Sequence, residues 1–285
     1  MAATPSNAVT QPGLSSAAAG GPLPNPSPQR RRVTAAFRMG RRGALRLGAA
    51  VALIAGWEVS TQVGLVDPFF FSSPSGIGAI LAQQFSRGTI WRHLFVTLQE
   101  AMWGLALGFV VGAFLAWLAT RSQSVADLLE PVLLLLNAVP RIVLAPIFVM
   151  WLGLGIQSKI AVSFFLVFVV IFFAVYAGIR EVDRSLVERI QILGGSPWHV
   201  LREVYIPSVL SWVFSSLRVA VGFAFTGAIV GEFVGSSAGL GYLMNFATGS
   251  QNSALLMATV VLIMVFIAAL FAALERVERR LMAWK

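Results

Sequence analysis

The chain has 285 residues, of which 57% are hydrophobic and only 12% charged, and its mean hydropathy is +0.80. So little charge cannot keep a water-soluble surface of this size wet, and a soluble protein is excluded. No cysteine is present, which excludes disulfides, a thiol nucleophile and cysteine-based metal sites.

Residues 1–41 are rich in Ala, Pro, Ser, Gly and Gln, with no periodic apolar pattern. Such a composition buries no core, so a disordered basic cytoplasmic tail is expected. It closes on Arg30, Arg31, Arg32, Arg38, Arg41 and Arg42, and the first acidic residue is Glu58. An organelle transit peptide shares that bias; a tail held inside by positive charge is the simpler reading.

The rest, 42–285, reads as one transmembrane domain. Six apolar stretches reach the roughly 20 residues that a helix needs to cross a bilayer. They lie at about 44–66, 94–119, 126–152, 159–179, 208–234 and 254–274. If the N-terminus is cytoplasmic, sixteen Lys and Arg fall on inner segments and three (Arg87, Arg92 and Lys159) on outer ones. The positive-inside rule therefore puts both termini in the cytoplasm. The net charge of +9 needs no nucleic acid to explain it. The outer connection at 67–93 reads as a turn followed by an interfacial or surface helix.

The spans carry their own signals. Gly104, Gly108 and Gly112 repeat every four residues, as do Gly227, Gly231 and Gly235. Each set lies on one helix face, for close packing or for packing beside a pathway that rearranges. Pro131, Pro140 and Pro146 break the third span, which favours an interior position near a cavity. Five charges fall within or near spans: Glu58, Glu100, Arg141, Arg218 and Glu232. Local pairing is expected for Glu58 and Glu100. Arg141, after Pro140, and Arg218 either favour an anionic solute or form structural ion pairs.

Between the fourth and fifth spans lies a polar island, about 181–207. In "GGSPWHVLREVYIP", Gly194 and Gly195 break what precedes, Ser196 is placed as an N-cap and Pro197 at the first helical position. Trp198, Leu201 and Val204 or Tyr205 then recur at helical spacing, 186–193 forms another short helix, and Pro207 stops the second helix before the membrane. The aromatic stripe either packs on this chain's own helix ends or fills a groove on a partner. No GxxxxGK[ST], HExxH or carboxylate pair occurs in an aqueous segment, and His93 and His199 lack metal-ligand spacing. No catalytic residue and no metal site is therefore assigned.

The spacing from Glu188 to Gly194, Val204 and Ile206–Pro207 resembles the cytoplasmic "EAA" loop of permease subunits of binding-protein-dependent ABC importers. "SSPSGIGAIL", "AVPRIVLAPIFVMWLGLG", "SLRVAVGFAFTGAIVGEFVGSSAGLGYL" and "ERVERRL" resemble the nitrate, sulfonate, taurine and bicarbonate branch, so the likeness covers about 45–285. It departs at Arg189 and Ile190, where the motif has two alanines. The resemblance implies an all-α fold of six transmembrane helices, of the type I ABC importer kind, in a bacterial inner membrane. It also implies coupling of the island to cytoplasmic ATPase subunits, with Glu188, Gly194, Ser196, Trp198, Arg202 and Pro207 as interface residues. ATP and magnesium would sit on that partner, with no cofactor on this chain. A second permease copy or paralogue would complete the pathway, with Pro140, Arg141, Arg218 and Glu232 as candidate lining residues. An extracytoplasmic binding protein would deliver solute at an external gate containing Ser237, Gly239 and Gly241. Small anions are the expected cargo; a vitamin precursor and a gradient-driven carrier are the alternatives.

Overall fold

Residue 45 and residues 48–67 and 69–281 are described in a computed structural model. The chain divides into two units, Met1–Ile54 and Ala55–Lys285. In the first, residues 48–54 are helical; the tail expected at 1–41 lies outside the described residues. The second unit opens with helical residues 55–62 (α1), so the first expected span, 44–66, is helical over its described central part.

Among the described residues no strand occurs, and the order in the second unit continues α2 (Pro74–Ser86), α3 (Thr89–Arg121), α4 (Gln123–Ala138), α5 (Leu144–Leu152), α6 (Ile156–Arg180) and α7 (Arg184–Ile192). Then come α8 (Pro197–Val200), a π-helical turn (Leu201–Tyr205), α9 (Ile206–Val234), α10 (Leu240–Gly249) and α11 (Ser253–Leu281). The helix expected in the outer connection is α2. Ser73 caps it by accepting from the Gly76 N–H at 3.1 Å, and Pro74 occupies its first position, where a missing N–H leaves nothing unpaired.

Among the described residues four helices are long and apolar enough to cross a membrane: α3, α6, the continuous run Pro197–Val234 and most of α11. Two expectations need correction. Of the three breaks expected in the third span, 126–152, that at Pro140 alone occurs: α4 runs through Pro131 to Ala138, a 3-10 turn covers Arg141–Val143, and α5 follows. Val139 is extended, at φ −66° and ψ 129°, because a residue before proline is driven from helical angles. Pro146 falls in the first turn of α5 and is tolerated there. The second correction concerns Pro207, which does not stop the helix. The π-helical turn at Leu201–Tyr205 re-registers the hydrogen bonds just ahead of it, so Pro207 enters as the start of α9. The result is one helix of 38 residues, about 57 Å long at 1.5 Å per residue.

The core is built around α6, against which both glycine faces pack. A Cβ at Gly104 would lie 2.2 Å from Ser163 Oγ, and one at Gly112 would lie 2.5 Å from the Phe168 carbonyl oxygen. From the other side, a Cβ at Gly227 would lie 2.6 Å from Ser163 Cα. Ser163 is thus clasped between α3 and α9, and its hydroxyl donates to the Ala224 carbonyl at 2.9 Å. Around it Val167, Ile171, Phe172, Ala220, Ala224, Phe225 and Ala228 form the buried core. Of the two readings of the glycine repeats, the structure displays close packing.

Candidate functional site

Two regions hold most of the sequence-predicted residues. The first is the 181–207 loop. Asp183 caps α7 by accepting from the Ser185 N–H at 2.8 Å, and that bond holds its carboxyl below the ordinary range. Gly194 then reverses the chain at φ +79°, an angle that costs a residue with a Cβ about 1–2 kcal/mol. Ser196 caps α8, and its Oγ pairs with His199 Nδ1 at 2.8 Å. Helix start, N-cap and Pro197 all fall where the sequence predicts them.

The expected stripe divides between two faces. Val200 and Val204 are buried on the inner face, while Trp198 is 63% exposed. Ile192 and Leu193, at 84% and 85% exposure, protrude at the tip of the loop. Glu188 and Arg202 are also exposed, and Arg202 pairs with Glu203 at 3.8 Å. The loop is nonetheless anchored. Ser208 Oγ donates to the Gly178 carbonyl at 2.8 Å, Trp212 Nε1 donates to Glu181, and Arg180 pairs with Glu130 at 3.5 Å. An open cleft of about 360 Å³ lies between α7, α8 and Arg121, near a second of about 500 Å³ that includes Trp117, Val209 and Leu210.

The second region lies at the opposite end of α9. Glu232 is fully buried; its Oε1 accepts from Thr97 Oγ1 at 2.6 Å and its Oε2 from the Gly241 N–H at 2.7 Å. Thr97 Oγ1 in turn accepts from the Leu240 N–H at 2.9 Å, and His93 Nδ1 accepts from the Gly239 N–H at 3.0 Å. Three successive N–H groups at the start of α10 are thus taken by side chains of α3 and α9. Glu100, 2% exposed, meets Glu232, and its Oε2 has no hydrogen-bond partner. Lys159, also fully buried, donates to the carbonyls of Leu154 and Gly155 at 2.6 and 3.1 Å, with both carboxyl groups close by.

Sequence reasoning missed most of this cluster. Lys159 counted as an outer-segment charge, yet it sits in the first turn of α6 inside the protein. Glu100, expected to pair locally, meets a residue far along the chain, whereas Glu58 does pair nearby, accepting from the Ser75 N–H and hydroxyl at 2.9 and 2.7 Å. The available signal was three ionisable residues at span ends, since such groups in membrane segments face protein or water. Ser237 is exposed in the loop, while Gly239 and Gly241 are buried against Glu232.

Of the candidate pathway residues, Arg218 and Glu232 stand apart on α9. Pro140 and Arg141 lie in the break between α4 and α5, and the Arg141 side chain is outside the described residues. Arg218 pairs with Glu278 of α11 at 3.7 Å. It precedes Glu232 by 14 residues on α9, about 21 Å along the helix axis.

Residues 108–283 match the family described as "Binding-protein-dependent transport system inner membrane component". The chain is 33% identical to a probable ABC transporter permease protein of Haemophilus influenzae, over 77% of this chain and 89% of that one. It is 30% identical to the riboflavin transport system permease protein RibX of Chloroflexus aurantiacus, over 82% and 87% of the two chains. With the taurine transport system permease protein TauC of Escherichia coli the identity is 26%, over 89% and 94%. The fold is similar to that of the MetNI methionine ABC transporter in an inward-facing conformation, at a TM-score of 0.56 and 19% identity over 67% of this chain and 95% of that one. With the family's pattern spanning most of the transmembrane unit and the relatives aligned nearly end to end, the chain belongs to the binding-protein-dependent transport system inner membrane components, the permease subunits of ABC importers.

Proposed function

We propose that two such chains, or this chain and a paralogue, line the pathway of an ATP-driven importer whose cytoplasmic ATPase subunits grip the 181–207 loop. The observation that carries the reading is how the loop is built. Ile192, Leu193 and Trp198 stand exposed on a short, capped, charged segment. Apolar side chains so displayed gain stability when a partner groove covers them. From Pro197 onward the segment runs without a break into a helix of 38 residues, long enough to cross a bilayer, so displacement of Trp198 moves α9 as a rod. A gradient-driven carrier has no use for such a surface.

On this reading Glu188, Gly194, Ser196, Trp198, Arg202 and Pro207 form or shape the interface, and ATP and magnesium belong to the partner. Both termini lie in the cytoplasm of a bacterium, residues 1–41 form a tail there, and 42–285 form the inner-membrane domain. An extracytoplasmic binding protein delivers solute near Ser237, Gly239 and Gly241. Pro140 and Arg141 mark non-helical backbone, which membranes tolerate where it borders protein or a cavity. The cargo is a small solute. The taurine relative supports an anionic sulfonate class. A vitamin precursor is favoured by the higher identity of the riboflavin relative and by the pairing of Arg218 with Glu278.

The test is gentle extraction through a tag on this chain, followed by native mass determination. Two permease chains with two ATP-hydrolysing chains are expected, with a Trp198→Cys variant cross-linking to the ATPase without background from other cysteines of this chain. Recovery of the chain alone under every mild condition would defeat the proposal. Uptake of labelled taurine against riboflavin by the reconstituted complex then separates the two cargo classes.

A further inference from the structure

The loop between α9 and α10 is attached to α3 through hydrogen bonds to buried polar side chains, and Glu232 is at their centre. Its two carboxylate oxygens hold two different elements: Oε1 takes the Thr97 hydroxyl of α3, and Oε2 takes the Gly241 N–H of α10. The glycines make this possible. A Cβ at Gly239 would lie 2.1 Å from the Glu232 carboxyl carbon, and a Cβ at Gly241 would lie 2.1 Å from the Ile229 carbonyl oxygen. Backbone therefore presses directly onto the carboxylate, with Leu240 and Leu243 packed beside it against Ile90 and Leu94.

A buried carboxylate in a membrane protein is a costly way merely to hold helices together, because apolar packing would serve as well without desolvating a charge. Hydrogen bonds differ from packing in one useful respect: they are lost over a short, directed displacement. Glu100 Oε2, unpartnered within the same cluster, leaves these groups an additional acceptor with which to form other pairings. We propose that Glu232 is a latch. With Thr97 and His93 as its keepers it closes the outer loop onto α3, and separation of α3 from α9 breaks the Thr97–Glu232 and Thr97–Leu240 contacts when the outer face opens. Glu232 acts as a positioning residue and does not touch solute. The inference rests on the outer placement of this loop in the importer reading.

The absence of cysteine permits a direct test in whole cells and in the purified complex. Ala238, 7% exposed beneath the latch, is changed to cysteine, and its rate of reaction with a membrane-impermeant maleimide is measured. Glu232→Ala is expected to speed that reaction about tenfold, the factor that corresponds to about 1.4 kcal/mol, and Thr97→Val by a smaller factor. Glu232→Gln is expected to stay near the parent rate. Its amide oxygen accepts from the Gly241 N–H and its amide nitrogen donates to Thr97 Oγ1, whose own proton turns to the His93 carbonyl 3.1 Å away.

Exposed Ser237→Cys serves as the reference and is expected to react alike in every background. Equal Ala238→Cys rates in all backgrounds, with the native mass unchanged, would overturn the latch and leave the importer reading standing. A Ser237→Cys that reacts only after the membrane is permeabilised would overturn the outer placement, and the latch with it. Should Glu232→Ala not assemble, Thr97→Val decides the matter: unchanged Ala238→Cys reactivity there overturns the latch.

Discussion

Replacing Gly227 with alanine tests the claim that α6 is clasped between α3 and α9. The new Cβ would stand 2.6 Å from Ser163 Cα and 2.8 Å from its nitrogen, whereas ordinary contact begins near 3.4 Å. Relief requires α6 and α9 to part by roughly 0.8 Å. Retreat of α6 the other way is blocked, because Gly104 already places α3 against the Ser163 side chain. Overpacking of a filled interior costs about 1–3 kcal/mol, and stretching the Ser163–Ala224 hydrogen bond adds about 1 kcal/mol. Alanine's better helix propensity returns about 1 kcal/mol. The expected net loss is therefore about 1–3 kcal/mol. Gly222→Ala, on the same helix, is the control, since its Cβ would meet only Phe271 Cζ at 3.7 Å, and it should be neutral or slightly stabilising. Both variants would be unfolded with denaturing detergent in mixed micelles and followed by tryptophan fluorescence. Equal midpoints for Gly227→Ala and Gly222→Ala would refute the clasp.

Two further outcomes are expected. Arg218→Gln should leave uptake by the reconstituted complex unchanged and cost only about 0–1 kcal/mol, because Arg218 is a half-exposed partner of Glu278; a large loss of uptake would return it to the pathway. Asp183→Ala should raise amide hydrogen exchange across α7. The Ser185 N–H holds the Asp183 carboxyl below its ordinary value, so the cap acts fully at neutral pH and is lost as pH falls through that lowered value. The parent should therefore exchange increasingly like the variant as the medium becomes acid; a difference that persists in acid would show that the cap does not depend on the charge.

The helical class, four of the six expected spans and the Ser196 cap of the cytoplasmic loop are legible in the sequence. They arise from local causes: apolar run length, the angles proline and glycine allow, and the reach of Ser196 to its own backbone. Local rules also misled. Pro207 reads as a stop only if the hydrogen-bond register ahead of it is α-helical, and the π-helical turn at Leu201–Tyr205 removes that premise. At Pro140 the rule held, and the third span broke there.

The polar cluster is the opposite case. Thr97, Lys159, Glu232 and Gly241 are spread over four helices, α3, α6, α9 and α10, with 135 residues between Thr97 and Glu232. Sequence patterning shows a charge near a span end but not its partner. Hydropathy and arginine placement follow from the residues themselves, because transfer into lipid is a property of each side chain. Which buried carboxylate meets which backbone N–H depends on how α3, α6 and α9 cross at their glycines, and only the packed tertiary structure decides it.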